Sequence, residues 1–216
     1  MGIILEAQSI SKQFGAKKVV KNVDLSINNG EFIAFLGPNG AGKSTMIQLL
    51  TTLIPASSGQ IKIKGINIQK NKKQLRKNIG IVFQQSILDY DLTVLQNLQL
   101  SQQLVHANQR YFNKIVELFK LTNILQQKIA TLSGGQRRRV DIAYVLLGQP
   151  AILFLDEPTN ALDLKTRQLI WRILNDLKQK ENMTIFLTTH YLMEAEQADQ
   201  VYIFDHGEIL AHGSVN

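Results

Sequence analysis

The sequence predicts an α/β fold: a mostly parallel sheet flanked by helices, with an antiparallel β subdomain at its start and a helical subdomain inserted in its middle. Two patterns and one interruption predict it. Short apolar runs, "EFIAFL", "GIVF", "AILFL" and "TIFLTT", alternate with amphipathic helical segments, as parallel strands joined by crossover helices do. Near the start, "VVKNVDLSI" and "GQIKIKGINI" alternate apolar and polar residues instead, the mark of half-exposed antiparallel strands. Between these regions, "LTVLQNLQLSQQLV" and "QRYFNKIVELFKLT" have helical periodicity and contain neither Gly nor Pro. The whole chain, residues 1–216, reads as a single domain. Residues 1–89 and 148–216 form its core and β subdomain, and 90–147 its helical subdomain.

In chain order, the first chemistry lies at "GPNGAGKST", residues Gly37, Pro38, Asn39, Gly40, Ala41, Gly42, Lys43, Ser44 and Thr45. A strand-like run precedes it, and "MIQLLTTL" follows with Met46, Ile47, Leu49, Leu50 and Leu53 at helical spacing. A strand–loop–helix of the form G-x-x-x-x-G-K-[ST] cradles phosphate. Loop and helix N–H groups point at the anion, glycines let the backbone approach, Lys43 reaches the β- and γ-phosphates, and the Ser44 hydroxyl ligates Mg²⁺. The core is therefore read as a P-loop NTPase.

The next strand run, "GIVF", ends at Gln84, and "QSILDYDLTVLQNL" leads from there into the helical segment. Ile87, Leu88, Tyr90 and Leu92 make that connection too apolar for an ordinary loop, and a partner surface is one reading of it. The helical segment closes on "TLSGGQRRRV", where Ser133 reads as the N-cap of a helix carrying Val140, Ile142 and Ala143. A cap hydroxyl, Gly134, Gly135 and a helix start form a second half-site for phosphate, about 90 residues after the first. The run Arg137–Arg139 reads as a solvated helix face.

"AILFL" ends in Asp156 and Glu157, and "TIFLTT" ends in His190. "YLMEAEQAD" reads as a helix, and "VYIFDHGEILAHG" as a hairpin around "DHGE". If the core strands are parallel neighbours, their carboxyl ends gather a phosphate cradle, an amide, two carboxylates and an imidazole on one edge, where ligands of open α/β sheets bind. ATP hydrolysis needs those groups. Asp156 suits the Mg²⁺ shell, Glu157 polarises the attacking water, Gln84 completes the metal shell, and His190 holds the γ-phosphate and the water in line.

Composition sets the bounds. The apolar fraction of 44% supports a real core, and the absence of cysteine excludes disulfides and thiolate metal sites. No run reaches the ~20 apolar residues of a membrane span. The opening "MGIILEAQSI" has no basic region followed by a long apolar stretch, so no signal peptide is expected. The net charge of +7 suits an acidic partner, although most of it reads as solvated lysine.

Taken together, these residues resemble the ATP-binding subunits of ABC transporters. "GPNGAGKST" is similar to Walker A, "ILFLDE" to Walker B and "LSGGQ" to the family signature. Gln84 matches the Q-loop, "NALD" the D-loop and His190 the H-loop, all in family order. Phe14 in "SKQFG" stands where the family places an aromatic that stacks on adenine. The resemblance implies an ATPase using ATP and Mg²⁺. It works as a head-to-tail homodimer or heterodimer, with Ser133, Gly134, Gly135, Gln136 and Asp163 of one subunit closing on the ATP of the other. It also implies a separate transmembrane permease, a cytoplasmic location on the inner membrane face, and no nucleic acid.

The phrases around the signature and His190 are most similar to the drug- and antibiotic-export branch. An importer subunit, or an ABC-type ATPase acting on nucleic acid or ribosomes, is the alternative. Against the latter stand the single cassette, the short helical segment and the lack of cysteine. The chain departs from the usual pattern at Phe14 for tyrosine, at Ala161 where glycine is frequent, and at Gln85, which leaves the Q-loop assignment ambiguous by one residue.

Overall fold

The computed structural model describes residues 2–214. Strands β1 (Ile3–Phe14) and β2 (Lys17–Asn28) lead into β3 (Phe32–Leu36) and helix α1 (Lys43–Leu50). Then come β4 (Ser58–Ile63), β5 (Ile66–Asn67), the short α2 (Lys72–Arg76) and β6 (Ile79–Val82). Helices α3 (Val94–Val105), α4 (Gln109–Leu118) and α5 (Gly134–Leu146) follow before the chain returns as β7 (Ile152–Asp156). The last part runs α6 (Leu164–Glu181), β8 (Thr184–Thr189), α7 (Leu192–Ala195), β9 (Gln200–Asp205) and β10 (Glu208–Gly213).

The strands form two sheets, as the periodicities predict. The antiparallel one has the order β2-β1-β4-β5, and the larger one β10-β9-β3-β8-β7-β6. In the larger sheet every pairing is parallel except the β9–β10 edge hairpin, whose turn is His206–Gly207. The opening β1, which the sequence reading did not separate from its surroundings, is a 12-residue strand paired on both sides, with β2 and with β4.

The parallel strands read as continuous apolar runs because both faces are covered. Alternation sorts their side chains. Phe32 and Ala34 of β3, Leu153 and Leu155 of β7, and Ile185 and Leu187 of β8 pack on one face with residues of α3, α4, α5 and α6. Ile33 and Phe35, Ile152 and Phe154, and Phe186 point to the other, against α1 and the antiparallel sheet. There Phe154 stacks on Phe186 at 4.7 Å between ring centroids.

Two expectations change. Leu53 does not extend the apolar face of α1: the helix stops at Leu50, Thr51 Oγ1 donates to Ile47 O at 2.7 Å, Thr52 turns to φ 64°, and Leu53 is exposed. The segment "YLMEAEQAD" is helical only over α7, because Glu194 and Thr189 tie it back onto β8.

Candidate active site

Register brings the strand ends together. Leu36 lies opposite Thr189, Asp156 opposite Thr188, and Val82 opposite Leu155. The residues just past these pairs, Gly37, His190, Glu157 and the Phe83–Gln84 pair, therefore share one sheet edge.

The phosphate loop is shaped by its glycine positions. Gly42, the N-cap of α1, has φ 106°, and a Cβ there would meet Val19 O at 2.8 Å, so no other residue fits without displacing β2. No acidic residue stands in the first turn of α1, and the positive end of its dipole is left for an anion. Lys43 is buried, and its Nζ donates to Gly37 O at 2.7 Å and Pro38 O at 2.9 Å. Burial lowers its pKa from the usual lysine value, opposed by the nearby Glu157 and Asp156 carboxylates. The ammonium thus sits coiled in its own loop, with the acidic pair near enough to act on it by charge.

Asp156 Oδ1 accepts from Ser44 Oγ at 2.9 Å and from Thr188 Oγ1 at 2.6 Å. Glu157 has φ 45°, a sparsely populated conformation for a residue with a side chain. Its N–H donates to Thr188 Oγ1 at 3.0 Å, which holds the turn. Three groups surround its carboxylate: Gln84 Nε2 donates at 3.4 Å, Asn160 Nδ2 donates at 3.0 Å, and His190 Nδ1 lies 3.7 Å away. Gln84, not Gln85, makes this contact. The His190 ring packs on Tyr191 at 4.0 Å.

Above these groups is a cleft of about 420 Å³ lined by Lys17, Val19, Asn39, Gly40, Gly42, Lys43, Ser44, Thr45, Gln84, Glu157 and Asn160. Ala41 is buried under the loop. Phe14, at the end of β1, is half exposed beneath Lys12 Nζ and does not line the cleft.

The residue types present fit Mg²⁺. Ser44 Oγ and Asp156 Oδ1 are hard oxygens already 2.9 Å apart, and Gln84 opens on the same cleft. Among the described residues there is no cluster of three His, Asp or Glu, so such an ion would depend on phosphate oxygens and water for the rest of its shell.

The second half-site is built on α5. Ser133 is its N-cap, and a capping box is closed in both directions: Gln136 N–H donates to Ser133 Oγ at 3.2 Å, and Ser133 N–H to Gln136 Oε1 at 2.9 Å. The Ser133 hydroxyl accepts there, so its own proton is available to an anion, whereas the Gln136 amide oxygen is already taken. Asp163 caps α6 by accepting from Thr166 N–H at 2.9 Å and Thr166 Oγ1 at 2.7 Å, bonds that lower its pKa. A Cβ on Gly135 would lie 2.9 Å from Thr166 Oγ1, so the glycine lets the start of α5 close onto the start of α6. Ser133, Gly135, Gln136 and Asp163 are not brought into the cleft; only Gly134 borders the adjoining cavity of about 530 Å³ that reaches Glu157. Ala161, φ 58°, holds the left-handed turn that glycine would adopt without strain.

The arginine run departs from its expected solvated face. Arg138 is only 7% exposed and donates to the Phe83, Asp156 and Pro158 carbonyls. Asn160, Thr188 and Glu194 were also missed. Asn160 lies inside "NALD" and could have been suspected from its place beside Asp163; the others carry no local signal. In the apolar connection, Leu88 belongs to the core, whereas Ile87 (57% exposed) and Tyr90 (44%) face outward. Among the described residues no helix is long and apolar enough to cross a membrane.

Comparison with known proteins agrees with this geometry. Residues 20–160 match the ABC transporter family. The chain is 36% identical over 210 residues to the daunorubicin resistance ATP-binding protein DrrA3 of Streptomyces coeruleorubidus, covering 95% of this chain and 66% of that protein. It is 37% identical to the linearmycin resistance ATP-binding protein LnrL of Bacillus subtilis, covering 98% and 69%. It thus spans about two thirds of the length of these relatives. The dimeric post-hydrolysis ATP-binding cassette MJ0796, bound to ADP and Pi, superposes with a TM-score of 0.88 at 29% identity, over 99% of both chains. A phosphate loop, an acidic strand end and a capped signature helix, in the family's order and on the family's fold, make this chain a member of the ABC transporter family, as an ATP-binding cassette.

Proposed function

We propose that the chain binds and hydrolyses ATP as one of two paired cassettes that power a separate membrane permease exporting drugs or other small molecules. The observation that carries the reading is the set of contacts at one sheet edge: Ser44 on Asp156, and Gln84, Asn160 and His190 around Glu157, with Lys43 behind them. In this reading Lys43 leaves the Gly37 and Pro38 carbonyls for the β- and γ-phosphates, and Ser44, Asp156 and Gln84 hold Mg²⁺. When bound, the ion neutralises charge on the phosphates. Glu157 takes a proton from the attacking water, His190 steadies that water and the γ-phosphate, and Phe14 offers its free face to adenine.

Ser133, Gly134, Gly135, Gln136 and Asp163 act on the nucleotide of the partner subunit. Their separation from the cleft within one chain supports this, as does the dimeric state of the MJ0796 cassette. Export of small molecules is carried over from relatives named for daunorubicin and linearmycin resistance. The exposed Ile87 and Tyr90 support a permease contact.

The test is Glu157→Gln. Turnover should fall about 10²–10⁴-fold, the usual contribution of a general base. ATP binding should persist, and the unhydrolysed ATP should hold two chains together on size exclusion. Near-normal turnover would remove Glu157 from its role.

A further inference from the structure

Helix α5 carries two buried polar side chains that the signature motif does not explain. Arg138 and Asp141, one turn apart, are 7% and 6% exposed. Arg138 Nε donates to Pro158 O at 2.9 Å, Nη2 to Asp156 O at 2.9 Å, and Nη1 to Phe83 O. Asp141 Oδ1 accepts from Ser86 Oγ at 2.6 Å. The choice of partners is specific. Asp156 and Pro158 are the residues on either side of Glu157, and Phe83 and Ser86 stand on either side of Gln84 and Gln85.

One helix therefore grips both segments that face the cleft, through three backbone carbonyls and the Ser86 hydroxyl rather than through the side chains of Gln84 and Glu157. A guanidinium costs several kcal/mol to bury unless its donors are satisfied in a fixed fork. Here each of its three nitrogens has a carbonyl. Glu157 needs such support, since its φ of 45° is not a conformation the residue keeps unaided. The same helix begins at the Ser133 capping box.

We infer that Arg138 is a positioning residue for ATP hydrolysis. It sets Glu157 and Gln84 from α5, so that a nucleotide engaged by the Ser133 end of this helix is felt at this chain's own cleft. The inference rests on the function proposed above and adds a physical link between the two sites of a dimer. A rigid helix with an anion site at its N-terminus and polar grips one and two turns further along moves both or neither.

The test measures ATPase rate against ATP concentration, together with nucleotide affinity and thermal melting, for the wild-type chain, Arg138→Gln, Arg138→Lys and Ser86→Ala. Misplacing the water-activating group by about 1 Å costs about 10²-fold. Arg138→Gln should therefore lose about that much kcat with the ATP dissociation constant unchanged. Its rate curve should change from sigmoidal to hyperbolic as the sites uncouple. Arg138→Lys, which keeps the charge but not the fork, should recover part of kcat.

Should Arg138→Gln fail to fold, Arg138→Lys and Ser86→Ala decide: kcat loss at unchanged affinity supports the inference, and wild-type kcat in both overturns it. Loss of kcat in step with affinity and melting temperature would reduce Arg138 to a strut and overturn it as well. A hyperbolic wild-type curve overturns the link between sites. A folded wild-type chain with no ATPase overturns the functional reading and this inference with it, whereas an active wild type beside an unimpaired Arg138→Gln overturns the inference alone.

Discussion

Glu194 is a buried acid outside the apolar core whose loss should cost the fold heavily. It stands on α7, 4% exposed, and its two oxygens are both engaged. Thr159 Oγ1 donates to Oε1, Thr189 Oγ1 donates to Oε2 at 2.6 Å, and Arg167 Nε lies 3.6 Å from Oε1. Both threonines are buried at 1% exposure. Each hydroxyl–carboxylate bond contributes about 1.5–3 kcal/mol, and neither hydroxyl can turn to water once the carboxylate is gone. Thr189 keeps one partner, the Tyr191 N–H at 3.0 Å, so the lower part of the sum applies. At 3.6 Å the buried Arg167 Nε makes no hydrogen bond to Oε1, so this pair contributes charge attraction alone.

Glu194→Ala should therefore destabilise by about 3–5 kcal/mol, which lowers Tm by roughly 6–20 °C for a domain of this size. Glu194→Gln keeps the volume and can still pair with two rotatable hydroxyls, so it should cost only about 1 kcal/mol. Thr189 precedes His190, and Thr189 O accepts from the Gly37 N–H at 3.3 Å, so the alanine variant should also lower ATPase below the unfolding range. Circular dichroism melts with ATPase at a fixed low temperature measure both. An alanine variant melting within about 2 °C of wild type, a shift worth less than 1 kcal/mol, would refute the clamp.

Lys43→Ala and Ser133→Arg should each inactivate a homodimer, whereas their mixture should form heterodimers with one intact composite site. ATP-dependent cross-linking with nucleotide stoichiometry checks this, and no recovered binding site on mixing would count against action across subunits. Asp141 makes a pH prediction. Burial raises its pKa, opposed by the Ser86 bond and by Arg138 and Arg137. The folded chain therefore keeps that proton after the unfolded chain has lost its own at about pH 4, and this residue's contribution to stability falls as pH rises from there to the raised value. Urea unfolding across that window should show the slope in the wild type and a shallower one in Asp141→Asn; an identical slope would refute the assignment. Tyr90→Glu should uncouple transport by the assembled transporter while the ATPase of the isolated chain persists, and loss of that ATPase or of folding would return Tyr90 to a packing role.

The parts of the site whose chemistry is local were legible in the chain. A phosphate loop is a short backbone path with glycines where Cβ atoms would collide, so its pattern is written in consecutive residues. The Ser133–Gln136 box is likewise an i, i+3 relation within one helix turn. Continuous apolar runs announced strands covered on both faces, and the polar residue ending each run marked the edge where Gln84, Asp156, Glu157 and His190 meet.

What depends on register and on long side chains emerged only from the packed fold. That Asp156 pairs with Thr188, and so receives its hydroxyl beside that of Ser44, follows from strand alignment, which no run of letters contains. Arg138 sits between two other arginines in a charged stretch, and nothing local separates it from its half-buried neighbours. Its partners are backbone carbonyls on other elements, and a carbonyl has no residue identity to read. Glu194 was hidden for the same reason: an acid on a short polar segment reads as solvated until Thr159 and Thr189 close over it. Patterns record a residue's relation to its chain neighbours, whereas burial of a charge depends on which distant segments fold onto it.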